Sequence, residues 1–288
     1  MSQDVLETAA VGLLAFFTVG WSVLAGADLG LGMVLPYLAR GAHERRLTVA
    51  AAVPFFLGNE VWLVAAAGVF TGCFTALEGE LFQGQVAALI PLLAGWMLRD
   101  TGLWWHVNGQ HPDGRRGSPN SFPDWLVTGG SWAVALSWGW LLAGLFAGTP
   151  GRPAAGLPAV GTALAVAALF AAHGLAFGAL RLTGAPGERA RRLSGRGGGP
   201  RGALAVTALA MAALPVAGGA RLPLAESAVT EPVLSLLVPA LLTVLPLLIG
   251  AQVWMWRSFG RRPWRPGIPL PADDSTHALH MDIEEGDS

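Results

Sequence analysis

The sequence has no lysine, one cysteine, six histidines and few charges of either sign, acidic and basic residues together making up 13% of 288. Each shortage closes a class of function. Without lysine there is no side-chain amine for the Schiff base that a retinal protein needs, however many helices it has. Cys73, alone, cannot form an intrachain disulfide and provides no thiolate set for zinc or an iron–sulfur cluster. A soluble globular domain carries about 25% charged residues, so this composition excludes one. The histidines are as sparse in the apolar runs: His43 and His111 fall in loops, His106 at a run's edge, and His277 and His280 in an acidic tail, where they read as solvated. Only His173 lies well inside an apolar run. A bis-histidine haem or the histidine cluster of a haem–copper centre is therefore not available within the membrane part of this chain.

What is abundant is apolar: 53% of residues are hydrophobic and the mean hydropathy is +0.51. A membrane span needs about 20 apolar residues. Candidate spans fall at 9–38, 50–73, 81–104, 124–148, 157–181, 202–220 and 232–256. The start, MSQDVLETAA, has no basic region of the kind that opens a signal peptide, so the first run is expected to be retained as a helix. Arg40, Arg45 and Arg46 follow the first span; Arg99, Arg115 and Arg116 the third; Arg181, Arg189, Arg191, Arg192, Arg196 and Arg201 the fifth; Arg257, Arg261, Arg262 and Arg265 the last. The other side has Arg152 and Arg221. The positive-inside rule makes the crowded side cytoplasmic. The expected fold is an all-α integral membrane protein with seven transmembrane helices in a four-plus-three arrangement, the N-terminus outside and the C-terminus cytoplasmic. Its units are 1–150, a four-helix unit, 151–262, a three-helix unit, and 263–288, an acidic tail expected to be disordered. The connector 108–124 is polar, and 183–202 is basic, Gly-rich and expected to be mobile.

Two carboxylates interrupt the apolar runs. Asp28 lies about 18 Å along a helix from Arg40 and Glu60 about 21 Å from Arg46, so a hairpin of the first two spans sets them at similar depth. Neither belongs against lipid, where ionisable groups are costly. Gly26 and Gly30 bracket Asp28 as a small-residue pair that admits a neighbouring backbone, and Glu60 shares a stripe with Val64, Ala67 and Gly68. The two acids are expected to meet across this seam, holding at least one proton between them or bonding Asn59. They then serve either as a neutral helix clamp or as a proton path near a redox cofactor. His173 reads as a packed, hydrogen-bonded residue or as a neighbour of haem or quinone. Trp104, Trp105, Trp125, Trp254, Trp256 and Trp264 collect near span ends as an interfacial belt; Trp62 is more central and has an indole N–H to donate.

The order of motifs resembles one family. GADLGLGMVLPYL, then HERR, then VPFFLGNEVWLV is similar to the start of subunit II of the cytochrome bd quinol oxidases. That family reads Gly-Phe-Asp-Leu-Gly-x-Gly-Met, Glu-Arg-Arg, and Pro-x-Trp-Asp-Gly-Asn-Glu-Val-Trp-Leu. LFAAHGLAFGALRLTGAPGERARRL resembles its Leu-His-Gly segment, and QVWMWRSFGRR its last-helix end. The resemblance covers most of 12–262.

It implies a subunit with no haem or metal of its own, paired with a larger subunit I that carries haem b and haem d, oxidises quinol and reduces dioxygen to water. The implied setting is the respiratory chain of a bacterial plasma membrane, with lipid and quinone as further partners and no nucleic acid. Carried over by position, the residues of interest for a proton path or a subunit interface are Asp28, Gly58, Asn59, Glu60, Trp62, Arg99 and His173. There are departures: Ala27 replaces Phe, and Phe56-Leu57 replaces Trp-Asp, removing an acid linked with proton delivery. The family's eight helices become seven, with one missing around 195–202. Two other functions compete: a small-solute or ion permease using Asp28 and Glu60 as coupling carboxylates, and an assembly subunit that has lost oxidase function. Pro54 and Pro246 do not form the matched pair of broken helices a transporter shows.

Overall fold

The computed structural model describes residues 2–108, 122–194 and 199–260, the side chains of 107 and 108 excepted. Among them the chain forms nine helices: α1 (Gln3–Leu38), α2 (Ala42–Cys73), α3 (Thr75–Gly84), α4 (Val86–Asn108), α5 (Phe122–Phe146), α6 (Gly156–Arg181), α7 (Gly184–Leu193), α8 (Gly199–Gly219) and α9 (Glu231–Phe259). All but α3 and α7 are long and apolar enough to cross a membrane. The protein is a multi-pass membrane protein, and each of the seven such helices among the described residues overlaps an expected span.

The third span differs most. Phe74 and Gln85 break the chain around short α3, so α4 begins at Val86 rather than at 81. Buried Gln85 also pins the α5–α6 loop, because its side-chain amide donates to the carbonyls of Pro150 and Arg152, at 3.2 and 2.9 Å. Within the basic segment 183–202, Gly184–Leu193 form α7. Arg189 of α7 pairs with Glu44 at 2.9 Å and donates to the Leu38 carbonyl, tying α7 to the α1–α2 turn. Much of the 108–124 connector, residues 195–198, His111, Trp264 and the tail fall outside the described residues.

α1 is the axis of the fold, packing against α2, α5, α6, α8 and α9. Its first half buries one stripe, Leu6, Ala10, Leu13, Phe17 and Trp21, the spacing of a single helix face. From Ala25 to Leu35 every residue is buried. Glycine makes this possible. A Cβ on Gly30 would lie 1.9 Å from the Phe170 carbonyl oxygen, and one on Gly174 would lie 2.0 Å from the Gly30 carbonyl carbon, so the α1 and α6 backbones touch. The expected approach at Gly30 is therefore present, with α6 as the neighbour. Asp28, two residues from that crossing, is enclosed on every side. Gly174→Ala is expected to cost about 1–3 kcal/mol through forced separation of the backbones. A thermal melt in detergent checks this against Gly161→Ala, whose Cβ meets nothing within 4 Å and should be silent.

The stripe expected to carry Glu60 into packing does not do so. Val64 is 65% exposed, and a Cβ on Gly68 meets nothing. The packed face of α2 is the larger one formed by Phe55, Phe56, Asn59, Trp62, Ala66, Val69 and Phe70. Of the expected belt, Trp104, Trp105, Trp125 and Trp254 are exposed, whereas Trp256 stacks on Phe55, with ring centroids 4.6 Å apart.

Candidate functional site

Arg99 organises the polar interior. The α4–α5 seam is tight: a Cβ on Gly130 would lie 2.4 Å from the Gly95 carbonyl oxygen and 2.6 Å from the Arg99 amide nitrogen. That packing aims Arg99 inward, where its side chain is 2% exposed. The guanidinium then forks. Nη2 pairs with Asp28 Oδ1 of α1 at 2.9 Å; Nη1 pairs with Glu60 Oε1 of α2 at 3.0 Å and with Asp100 Oδ1 at 3.1 Å. The Phe56 ring lies 5.8 Å from the guanidinium carbon, in range of a cation–π contact. A planar donor fork serves separate carboxylates in a way a lysine point charge does not.

This corrects two expectations. Arg99 is not a loop arginine following the third span; it lies inside α4 and leaves the tally of charges on that side. Asp28 and Glu60 do not meet across a small-residue seam either, because Arg99 stands between them. The sequence does carry a signal for this: an Arg-Asp pair sits inside an apolar run, and only its closeness to the following loop disguises it.

A second chain of bonds leads away from Asp28. The Asn59 amide donates to Asp28 Oδ2 and to the Leu24 carbonyl, both at 3.0 Å. Gln252 of α9 donates to Asn59 Oδ1 at 3.0 Å, and the Trp62 indole donates to Gln252 Oε1 at 3.2 Å. The direction is fixed by chemistry. An indole N–H only donates, so Gln252 turns its oxygen to Trp62 and its nitrogen to Asn59, which leaves the Asn59 nitrogen for Asp28. Gly58 permits the approach of α9: its Cβ would lie 2.7 Å from Met255 Sδ. Trp62 therefore has a partner for its indole N–H. That partner, Gln252, is distant in sequence and unremarkable in composition, and sequence reasoning misses it.

A separate cluster lies nearer the arginine-rich end. Asp124 of α5 pairs with Arg45 Nε at 2.8 Å and His106 Nε2 at 2.9 Å. A narrow cleft lined by Thr48, Leu103 and Val127 lies beside Asp28 and Arg99.

His173 is buried and fully engaged. Its Nε2 lies 3.0 Å from the Val23 carbonyl oxygen, which can only accept, and its Nδ1 lies 2.8 Å from the Thr207 hydroxyl. Neither ring nitrogen faces open space, so the side chain is a bridge between α1, α6 and α8 and does not fit as a haem ligand. Leu57, at the position where the family pattern has an acid, is 53% exposed.

Comparison with known proteins gives a consistent result. Residues 6–220 match the family model described as cytochrome bd terminal oxidase subunit II. The probable cytochrome oxidase subunit 2 of Haemophilus influenzae is 30% identical over 138 residues, covering 48% of this chain and 35% of that protein. The cytochrome bd-I ubiquinol oxidase subunit 2 of Escherichia coli K12 is 28% identical over the same shares. The cytochrome bd ubiquinol oxidase subunit 2 of Bacillus subtilis is 28% identical over 212 residues, 70% of this chain and 60% of that protein. The matched part of this chain thus spans about a third of the first two relatives and three-fifths of the third.

Proposed function

Since the chain belongs to the cytochrome bd terminal oxidase subunit II family, we propose that it is the non-haem subunit of a bd-type quinol:oxygen oxidoreductase in a bacterial plasma membrane. Its partner is a haem-bearing subunit I, whose haem b and haem d supply the electron transfer from quinol to dioxygen. The chain braces that subunit and carries protons within the membrane. It is not catalytic alone.

The observation that carries this reading is the Arg99 fork joining Asp28 and Glu60 inside the apolar length of α1, α2 and α4. Arg99 holds a fixed positive charge, and three carboxyl groups around it accept or release protons without needing to move. Asp100 and Glu60 share one donor, Arg99 Nη1, at 3.1 and 3.0 Å, and two carboxyl groups held at one site favour a state in which one of them carries a proton. A small cavity of about 10 Å³ beside Asp28 and Arg99 has room for a single water next to the cluster. Asn59 and Gln252 position Asp28 from the opposite side. Quinol-dependent oxygen consumption by the complex, with and without Glu60→Gln, tests the relay. A permease has nothing comparable in its favour: the cleft at Asp28 is narrow and the acids are locked to an arginine.

Orientation is a further part of the proposal. With Arg99 removed from the tally, fifteen arginines against Arg152 and Arg221 still favour a cytoplasmic arginine-rich end. A reporter active only in the cytoplasm, fused after Gly260, is expected to be active; inactivity there reverses the topology.

A further inference from the structure

We infer that the groove between α2 and α4 receives a helix of a second membrane subunit, which presents a cationic or hydrogen-bond-donating side chain to Glu60 and Asp100. α2 packs inward on α1 and α4 on α5, and the two touch each other only sparsely. The floor of the gap between them is acidic. Glu60 and Asp100 lie side by side there, both on Arg99 Nη1 at 3.0 and 3.1 Å. Their side chains are 13% and 23% exposed, whereas those of Asp28 and Arg99 are 2% exposed. The rims are apolar: Leu57 is 53%, Val61 49%, Val64 65% and Met97 72% exposed.

Two physical facts turn this groove into a docking surface. First, the charges do not balance. Among the described residues one guanidinium serves three carboxyl groups, and the two with incomplete cover face outward. Second, lipid chains offer neither a donor nor a counter-charge, so a bilayer cannot complete the site. A polar side chain on an apolar helix supplies both, and the rest of that helix covers the rims. The exposed faces of α8 and α9 lack this feature: α8 from 202 to 219 and α9 from 232 to 256 contain no ionisable residue, which suits lipid.

The inference rests on the reading of the chain as one subunit of a hetero-oligomeric oxidase, and one experiment separates the two. A photo-crosslinking residue is introduced at Val61 or Met97 in the full complex in native membranes, with Leu209 of α8 and Leu247 of α9, 74% and 73% exposed, as comparison sites. Adducts to the haem-bearing subunit are expected from Val61 and Met97 and not from Leu209 or Leu247. Sequencing of the joined peptide should find Arg, Lys, His, Asn or Gln within one helical turn of the attachment. Partner adducts only from Leu209 or Leu247, adducts to a second copy of this chain, lipid adducts alone, or an entirely apolar joined segment each overturn the groove. A purified complex with no haem-bearing subunit overturns the oxidase reading itself.

Discussion

Membranes producing Arg99→Met should contain little or none of this chain. Methionine approximates the volume but leaves Asp28, Glu60 and Asp100 without the cation that pairs with all three. Removing one partner of a buried ion pair costs about 3–5 kcal/mol because the other charge is stranded, and here three groups are stranded together. Most folded domains have only about 5–15 kcal/mol in total. Arg99→Lys should be intermediate, since a single ammonium cannot fork between Asp28 and Glu60. Neutralising the whole cluster should reverse the loss. Replacing buried ionic groups together is often close to neutral, so Arg99→Met with Asp28→Asn, Glu60→Gln and Asp100→Asn is expected to accumulate again. Immunoblots of membranes and thermal melts in detergent check the series. Wild-type abundance of the single Arg99→Met variant would show that the fork contributes little to the fold.

Glu60→Gln should separate scaffold from relay. Glutamine keeps the shape and still accepts from Arg99, while the titratable proton of Glu60 is lost. If Glu60 passes protons, the complex assembles with normal haem content and quinol-dependent oxygen consumption falls by about a hundredfold, the lower end of what a positioned proton-transfer group contributes. If Glu60 is only a clamp, Glu60→Gln is nearly silent, whereas Glu60→Ala, which leaves Arg99 Nη1 with Asp100 alone, weakens the complex. Wild-type turnover in Glu60→Gln would end the relay. Leu57 sharpens the choice, because the chain already lacks an acid three residues away, on the exposed side of the same helix.

The span pattern is legible in the sequence because it depends on run length and composition, which lipid enforces directly. The acids are legible for the same reason, since a carboxylate in an apolar run stands out. Their partner is singled out only by the family resemblance, not by its own position. Arg99 lies near enough to the end of its run to pass for a loop residue, and only the close α4–α5 seam at Gly95 and Gly130 shows that it points inward. Periodicity also misleads at α2, where the small residues Ala67 and Gly68 suggest a packing face. Burial follows the aromatic side instead, where Phe55 meets Trp256 of α9, Phe56 meets Trp104 of α4 and Trp62 meets Phe16 and Phe17 of α1. Gln252 and the Asp124–His106–Arg45 cluster give no local signal at all. Each joins helices distant in sequence, and spacing along one helix says nothing about such contacts.

The most direct test of the central claim is an absorption spectrum of the complex isolated from native membranes through a tag on this chain. Haem b and haem d bands are expected in a fixed ratio to the chain, carried by a second, larger subunit, with no haem when this chain is produced and purified alone. Isolation of the chain from its native membranes without any haem-bearing partner, or stoichiometric haem on the chain by itself, would contradict that claim.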